Sequence, residues 1–345
     1  MLLFLSGRDK PRPHSNNSRQ HFDMANATEQ RVEANGLTFH VSEYGERGRP
    51  AIILLHGFPE CGYSWRYQAP FLAGQGYHVL VPDLRGYGYS DAPKEPMAYR
   101  QSELVKDVIG ILDAFGAGQA VVIGHDWGCA LAWQVAREYP QRVRAVVGLS
   151  VPYPGIGPRR PTEQMRQAFG ERFFYQLYFQ QPQIPEQELE ADVRDFLRRM
   201  YHALSGPGMR EKHRAAKPVT GFLDILQPPQ GPQPSWMTES DLDVYVERFE
   251  NSGLTGPINW YRAMDASWEE QHADGRQRIQ PTALFIGGEE DPVIQFAAKA
   301  LERMPSQMDD LTEVIILDGI GHWIQMEAPD QVNQHLKTFL DGLGN

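Results

Sequence analysis

Apolar residues along this chain change rhythm more than once. Residues 31–34 and 37–44 alternate between apolar and polar around Asn35-Gly36, which predicts an antiparallel hairpin. From residue 51 the pattern becomes continuous apolar runs at 51–55, 78–81, 120–123 and 143–149. Segments with helical periodicity near 65–72, 102–115 and 127–139 separate them. Strands that are apolar along their whole length and alternate with helices predict a mostly parallel α/β sheet covered on both faces.

At Val151 the rhythm stops, where Pro152, Pro154, Gly155, Gly157, Pro158 and Pro161 exclude a regular element. Residues 161–271 then read as helical and aromatic, interrupted by a proline loop at 227–234, which predicts a helical lid inserted into the sheet domain. The earlier rhythm resumes with a strand at 281–286, a helix near 296–303, a strand at 312–317 and an amphipathic helix at 330–343. The expected division is an extension at 1–28, the first part of the core at 29–151, the lid at 152–271 and the second part of the core at 272–345.

With 345 residues, one large α/β domain with an insertion accounts for the length. The 33 basic and 44 acidic residues leave a net charge of −11, which repels phosphate backbones and anionic bilayers. Nucleic-acid and membrane partners are therefore not expected, and small neutral substrates are. No apolar run is long enough to span a bilayer, so the chain reads as soluble. Met1 to Leu5 are apolar, but the run is too short for a signal peptide. The polar residues after them read as a disordered extension, with Met24 as an alternative start. Two cysteines, Cys61 and Cys129, are too few for a disulfide framework and point to a reducing, cytoplasmic setting.

The candidate chemistry begins where strand 121–123 runs into Gly124-His125-Asp126-Trp127-Gly128. This is the small-x-nucleophile-x-small pattern of a nucleophile elbow, with Asp126 where esterases carry serine. Asp126 alone could be a helix cap. Two further segments favour a catalytic reading: His56-Gly57-Phe58-Pro59-Glu60 after an earlier strand, and Gly321-His322-Trp323 after the last one. In this fold the base follows the last strand, which selects His322 among 11 histidines. His125, beside Asp126, is expected to point away from the pocket. The orienting acid belongs just after strand 281–286, where Asp291 is the choice and Glu289 and Glu290 are alternatives. Backbone N–H groups of Phe58 and Trp127 are the candidate oxyanion hole, and Pro59 is a candidate for a cis bond.

An aspartate is already ionised at neutral pH and needs no base to attack saturated carbon. It forms an ester of itself, and the histidine is needed afterwards to activate water. Alkyl halides and epoxides suit such a nucleophile. An opened epoxide leaves a basic alkoxide and needs acidic donors, which tyrosines in the lid would supply. Aromatic stripes such as 173–179 and 259–262 are by themselves ordinary core packing.

Taken together, HGFPE (56–60), DLRGYGYSD (83–91), GHDWG (124–128), FYQLYFQ (174–180), NWYR (259–262) and GHW (321–323) closely resemble the soluble epoxide hydrolases, in that family's order. The resemblance runs from about Arg31 to Leu343 and implies an eight-stranded α/β-hydrolase fold. It also implies Asp126 as nucleophile, Asp291 and His322 as relay, and Tyr175 and Tyr261 as donors to the epoxide oxygen. Phe58, Trp127, Tyr175 and Tyr261 would line the substrate site. Some vertebrate members carry a phosphatase domain ahead of the hydrolase, and no such activity is expected here. Residues 86–91 are assigned to structure rather than chemistry.

A haloalkane dehalogenase would share the Asp-His-Asp relay. It would want a side-chain amide donor where Phe58 stands. A fluoroacetate dehalogenase would want arginines beside the nucleophile, where Trp127 to Ala130 offer none. A non-catalytic small-ligand-binding α/β-hydrolase would be favoured by a missing relay member, and none is missing. Water and a small neutral epoxide are the expected partners, and no cofactor or metal is expected. The oligomeric state is open between monomer and homodimer.

Overall fold

The computed structural model describes residues 27–211, 219–226, 228–229 and 234–344. The expected extension lies outside the described residues up to position 26, as do most positions of the expected proline loop at 227–234. Strands β1 (Thr28–Ala34) and β2 (Leu37–Tyr44) form the hairpin, and Asn35 and Gly36 take φ values of 48° and 75° at its turn. Two successive positive φ values are what a type I′ turn requires. β1 begins at Thr28, ahead of the expected Arg31 and inside the expected extension. Thr28, Glu29 and Gln30 pair with Glu43, Ser42 and Val41, so this start is held by backbone ladder and carries no apolar signal.

The remaining strands are β3 (Ala51–Leu55), β4 (His78–Pro82), β5 (Ala120–His125), β6 (Val143–Leu149), β7 (Thr282–Gly288) and β8 (Leu311–Leu317). They form one eight-stranded sheet in the order β1-β2-β4-β3-β5-β6-β7-β8. β2 meets β4 antiparallel, and every pairing from β4 to β8 is parallel. Side chains alternate across a strand. Ile53, Leu55, Val122 and Val146 therefore join the core on one face, and Ile52, Leu54, Val121 and Val147 join the core on the other.

Helices α1 (Gln68–Gly74), α2 (Gln101–Ala114) and α3 (Trp127–Glu138) connect the first strands. The helix expected at 65–72 is instead a 3-10 turn at Gly62–Trp65 followed by α1. The chain then leaves the sheet between β6 and β7 and forms α4 (Pro161–Phe169), α5 (Tyr175–Tyr178), α6 (Ile184–Glu190), α7 (Val193–Ala203), α8 (Gly206–Arg210), α9 (Glu239–Ser252), α10 (Thr255–Arg262) and α11 (Met264–Asp274). This insert sits over the carboxyl ends of the strands. Tyr201 donates to Pro59 O at 2.6 Å, and Trp260 Nε1 donates to Arg85 O at 3.0 Å.

After β7 come α12 (Pro292–Phe296) and α13 (Ala298–Gln307), and after β8 come α14 (Ile324–Glu327) and α15 (Pro329–Gly342). The single helix expected near 296–303 is thus two. Asp291 caps α12 by accepting from Val293 N, and α12 stops at Phe296, whose ring is 81% exposed and adds nothing to the core. Among the described residues, no helix is long and apolar enough to cross a membrane.

Candidate active site

Strand β5 and helix α3 meet at Asp126, which takes φ 50° and ψ −117°. Such a conformation costs a non-glycine residue roughly 1–3 kcal/mol and persists only where packing fixes both flanks. Here it does. A Cβ on Gly128 would lie 2.1 Å from Leu55 O, and one on Gly57 would lie 2.4 Å from the Asp126 Cβ. The small neighbours therefore let β3, the 56–60 loop and α3 close around the acid.

The Asp126 carboxylate sits at the N-terminus of α3, where the helix dipole favours an anion. Its Oδ1 accepts the Phe58 N–H at 2.9 Å, and its Oδ2 lies 3.6 Å from His322 Nε2. Trp127 opens α3, so its N–H is among the first-turn amides that have no acceptor within the helix. The Phe58–Pro59 bond is cis. Burial works against the charge on Asp126, yet the His322 contact and the Phe58 amide hold its carboxyl below its ordinary value.

His322 joins the two acids. Its Nδ1 lies 2.9 Å from Asp291 Oδ2, and Asp291, fully buried, spends Oδ1 on Val293 N at 2.8 Å. Glu289 accepts from Gly319 N and Glu290 from Arg210, so of the three neighbouring acids it is Asp291 whose carboxylate reaches the histidine. Burial disfavours the imidazolium, but Asp291 and Asp126 on either side raise the His322 pKa well above its ordinary value.

Across from this relay stand the two tyrosines of the insert, Tyr175 opening α5 and Tyr261 in α10. Their ring centroids are 5.9 Å apart. Tyr261 packs edge-on against Trp127 at 5.0 Å and Phe58 at 5.3 Å, the residues that flank the carboxylate. Burial pushes both phenols above their ordinary pKa, and the nearby Asp126 charge adds to it. Both hydroxyls are therefore protonated donors throughout the neutral range. Behind Trp127 a cavity of about 680 Å³ opens between α3, α4 and α11, lined by Trp127, Met165, Phe169, Trp260 and Met264.

Three residues that hold the site were not assigned a role from sequence. His125 is wholly buried, and its Nε2 lies 2.8 Å from His322 O. Its Nδ1 lies 2.7 Å from Glu60 Oε2. Glu60 also accepts from Gly57 N and from Gln325 Nε2, both at 2.7 Å. Ser150 Oγ donates to the same His322 carbonyl at 2.9 Å. A buried network thus joins the 56–60 loop, the elbow and the histidine loop. The one sequence signal was the position of Glu60 and His125 inside motifs that were read for other residues.

Residues 50–329 match the family model for the alpha/beta hydrolase fold. The chain is 42% identical to epoxide hydrolase A of Mycobacterium tuberculosis, over 93% of this chain and 99% of that protein. It is 37% identical to the bifunctional epoxide hydrolase 2 of Sus scrofa, over 89% of this chain and 54% of that protein. Among solved structures, epoxide hydrolase A from Mycobacterium thermoresistibile superposes with a TM-score of 0.85 at 43% identity, covering 92% of this chain and 98% of the other. An epoxide hydrolase from an endophytic Streptomyces gives 0.87 at 41% identity, covering 92% and 96%.

Proposed function

The chain belongs to the epoxide hydrolases of the α/β-hydrolase superfamily and hydrolyses epoxides, and we propose that it does so through an ester formed on Asp126 and cleaved by water that His322 activates. The observation that carries this reading is the division of the Asp126 carboxylate. Oδ1 takes the Phe58 amide at 2.9 Å, while Oδ2 faces the His322 side at 3.6 Å.

In the first step Oδ2 attacks a ring carbon of the epoxide, and the ring C–O bond breaks as the new C–O bond forms. The leaving oxygen takes its proton from the Tyr175 and Tyr261 phenols, which recover one from solvent later in the cycle. Esterification removes the charge on Asp126, one of the two carboxylates that raise the His322 pKa. A proton on Nε2 then passes to solvent, and the neutral imidazole acts as the base.

In the second step His322 takes a proton from water as the water oxygen attacks the Asp126 carbonyl carbon. The carbonyl oxygen becomes an oxyanion between the Phe58 and Trp127 amides. Collapse of the intermediate breaks the ester bond, and the departing diol oxygen takes the proton from His322. Asp291 holds the imidazole in the orientation for both transfers through the 2.9 Å contact. The aromatic lining and the net charge of −11 favour a neutral epoxide. Two free, buried thiols suit a reducing compartment such as the cytoplasm.

His322→Gln is expected to keep esterification and lose ester cleavage. Intact-mass measurement after epoxide exposure should then show the protein heavier by one substrate and turnover lost. In heavy-oxygen water a single wild-type turnover should leave the isotope in the protein and yield unlabelled diol. Label in the first-turnover diol would overturn the covalent scheme.

A further inference from the structure

The loop that carries His322 is fastened from outside the sheet. His322 N donates to Leu204 O at 2.8 Å, and Trp323 Nε1 donates to Tyr201 O at 3.0 Å, both at the end of α7 in the insert. Between loop and insert lies the Glu327 carboxylate. Its Oε2 accepts from Gly206 N at 2.8 Å and Gly321 N at 3.2 Å, and its Oε1 accepts from Trp323 N at 3.1 Å. Capping the single turn of α14 would need only the Trp323 bond. The bond to Gly206, which opens α8, joins segments 121 residues apart. The two backbones approach too closely for any side chain, since a Cβ on Gly321 would lie 2.4 Å from both Gly206 N and Leu204 O. One carboxylate therefore pairs three N–H groups that converge on both sides of His322.

We infer that Glu327 is a positioning residue for ester cleavage, locking the backbone on both sides of His322 to the start of α8, an inference that rests on the two-step reading above. Esterification needs Asp126 and the two phenols, none of which Glu327 touches. Ester cleavage needs His322 Nε2 within reach of water and of the Asp126 carbonyl. The Asp291 bond sets the tilt of the ring, but the backbone at 321–323 sets where the ring stands. Misplacement of a reacting group by about 1 Å can cost about 100-fold.

In Glu327→Gln an NH2 group replaces one oxygen and faces an N–H donor. Glu327→Asp keeps charge and both acceptors on a shorter stem. The test is single-turnover quenched flow with an aryl epoxide, with ester counted by intact mass, for wild type, both variants and His322→Gln. These rate constants report folded, active molecules only. Ester cleavage in Glu327→Gln is expected to slow about 10- to 100-fold with esterification within about 3-fold, and Glu327→Asp is expected to restore part of the loss. If Glu327→Gln does not fold, Glu327→Asp carries the same asymmetry in smaller measure. Equal slowing of both steps, or no change in either, would overturn the role of Glu327. Absence of ester in His322→Gln would overturn the two-step reading instead.

Discussion

On the sheet side of the site, Asp126, Asp291 and His322 each leave the carboxyl end of a strand, and backbone decides where they stand. Asp126 is held by a φ of 50° enforced by close-packed glycines, Asp291 by its cap on Val293 N, and His322 by bonds to its own N–H and carbonyl. On the helical side, Tyr175 and Tyr261 come from helices of four and eight residues, and neighbouring rings hold them. Phe179 packs edge-on against Tyr261 at 5.0 Å and against Tyr175 at 5.6 Å. The sheet side is thus a set of charges stabilised by directional bonds, and the helical side a pair of neutral donors in an apolar wall. Directional bonds suit groups whose charge changes during a cycle. An apolar wall suits the proposed role of the two phenols, which must stay protonated while water is kept from the epoxide oxygen.

If that division maps onto the two steps, substitutions on the two sides should stop the reaction at different points. The largest effect is expected from Asp126→Asn, which removes the proposed nucleophile. Turnover should fall about 10⁴-fold or more with no added mass on the protein. Next comes the pair Tyr175→Phe with Tyr261→Phe, which should lower esterification about 10³-fold by transient kinetics. Either single substitution leaves one donor and should cost much less. Substantial activity in the double variant would move the acid role elsewhere.

Asp291→Asn should do the reverse. Esterification is expected to persist while ester cleavage falls about 10²- to 10³-fold, because an amide neither stabilises the imidazolium nor fixes its tautomer. Accumulated ester by intact mass reads this directly.

The smallest effect concerns the join between the two sides. His40 Nδ1 lies 3.0 Å from Asp83 Oδ2, which also takes Arg248 of α9 at 2.9 Å. Burial opposes the charge on His40, but bonds to Asp83 and Glu29 bring its pKa up to about 9. Burial likewise opposes Asp83, and His40 with Arg248 brings it down to about 2. The His40 contribution to stability is fully present below its unfolded pKa of about 6.5 and is lost as pH rises through about 9. The Asp83 contribution is present above about 3.8 and is lost as pH falls through about 2. The thermal midpoint should fall by roughly 2–4 °C between pH 6.5 and 9, and by less in Asp83→Asn.

Periodicity alone foretold the parallel sheet, the helical insert and the strand ends from which Asp126 and His322 emerge. Those features follow from local rules: alternation, apolar runs and a turn that tolerates only small neighbours. Tyr175 and Tyr261 stood out by resemblance and not by pattern, since an aromatic stripe in a helix reads as core. The start of β1 went unseen because Thr28, Glu29 and Gln30 are held by ladder bonds that leave no mark in hydrophobicity.

Other features depend on chain segments that meet only after folding. The choice among Glu289, Glu290 and Asp291 rests on which carboxylate reaches an imidazole 31 residues away, and composition treats the three alike. Glu60, His125 and Glu327 bond to partners 65, 197 and 121 residues distant. No window of sequence contains both ends of those contacts. Local order can place Asp126 on its turn, but the position of His322 beside it comes from long-range packing, where neighbouring carboxylates raise its pKa.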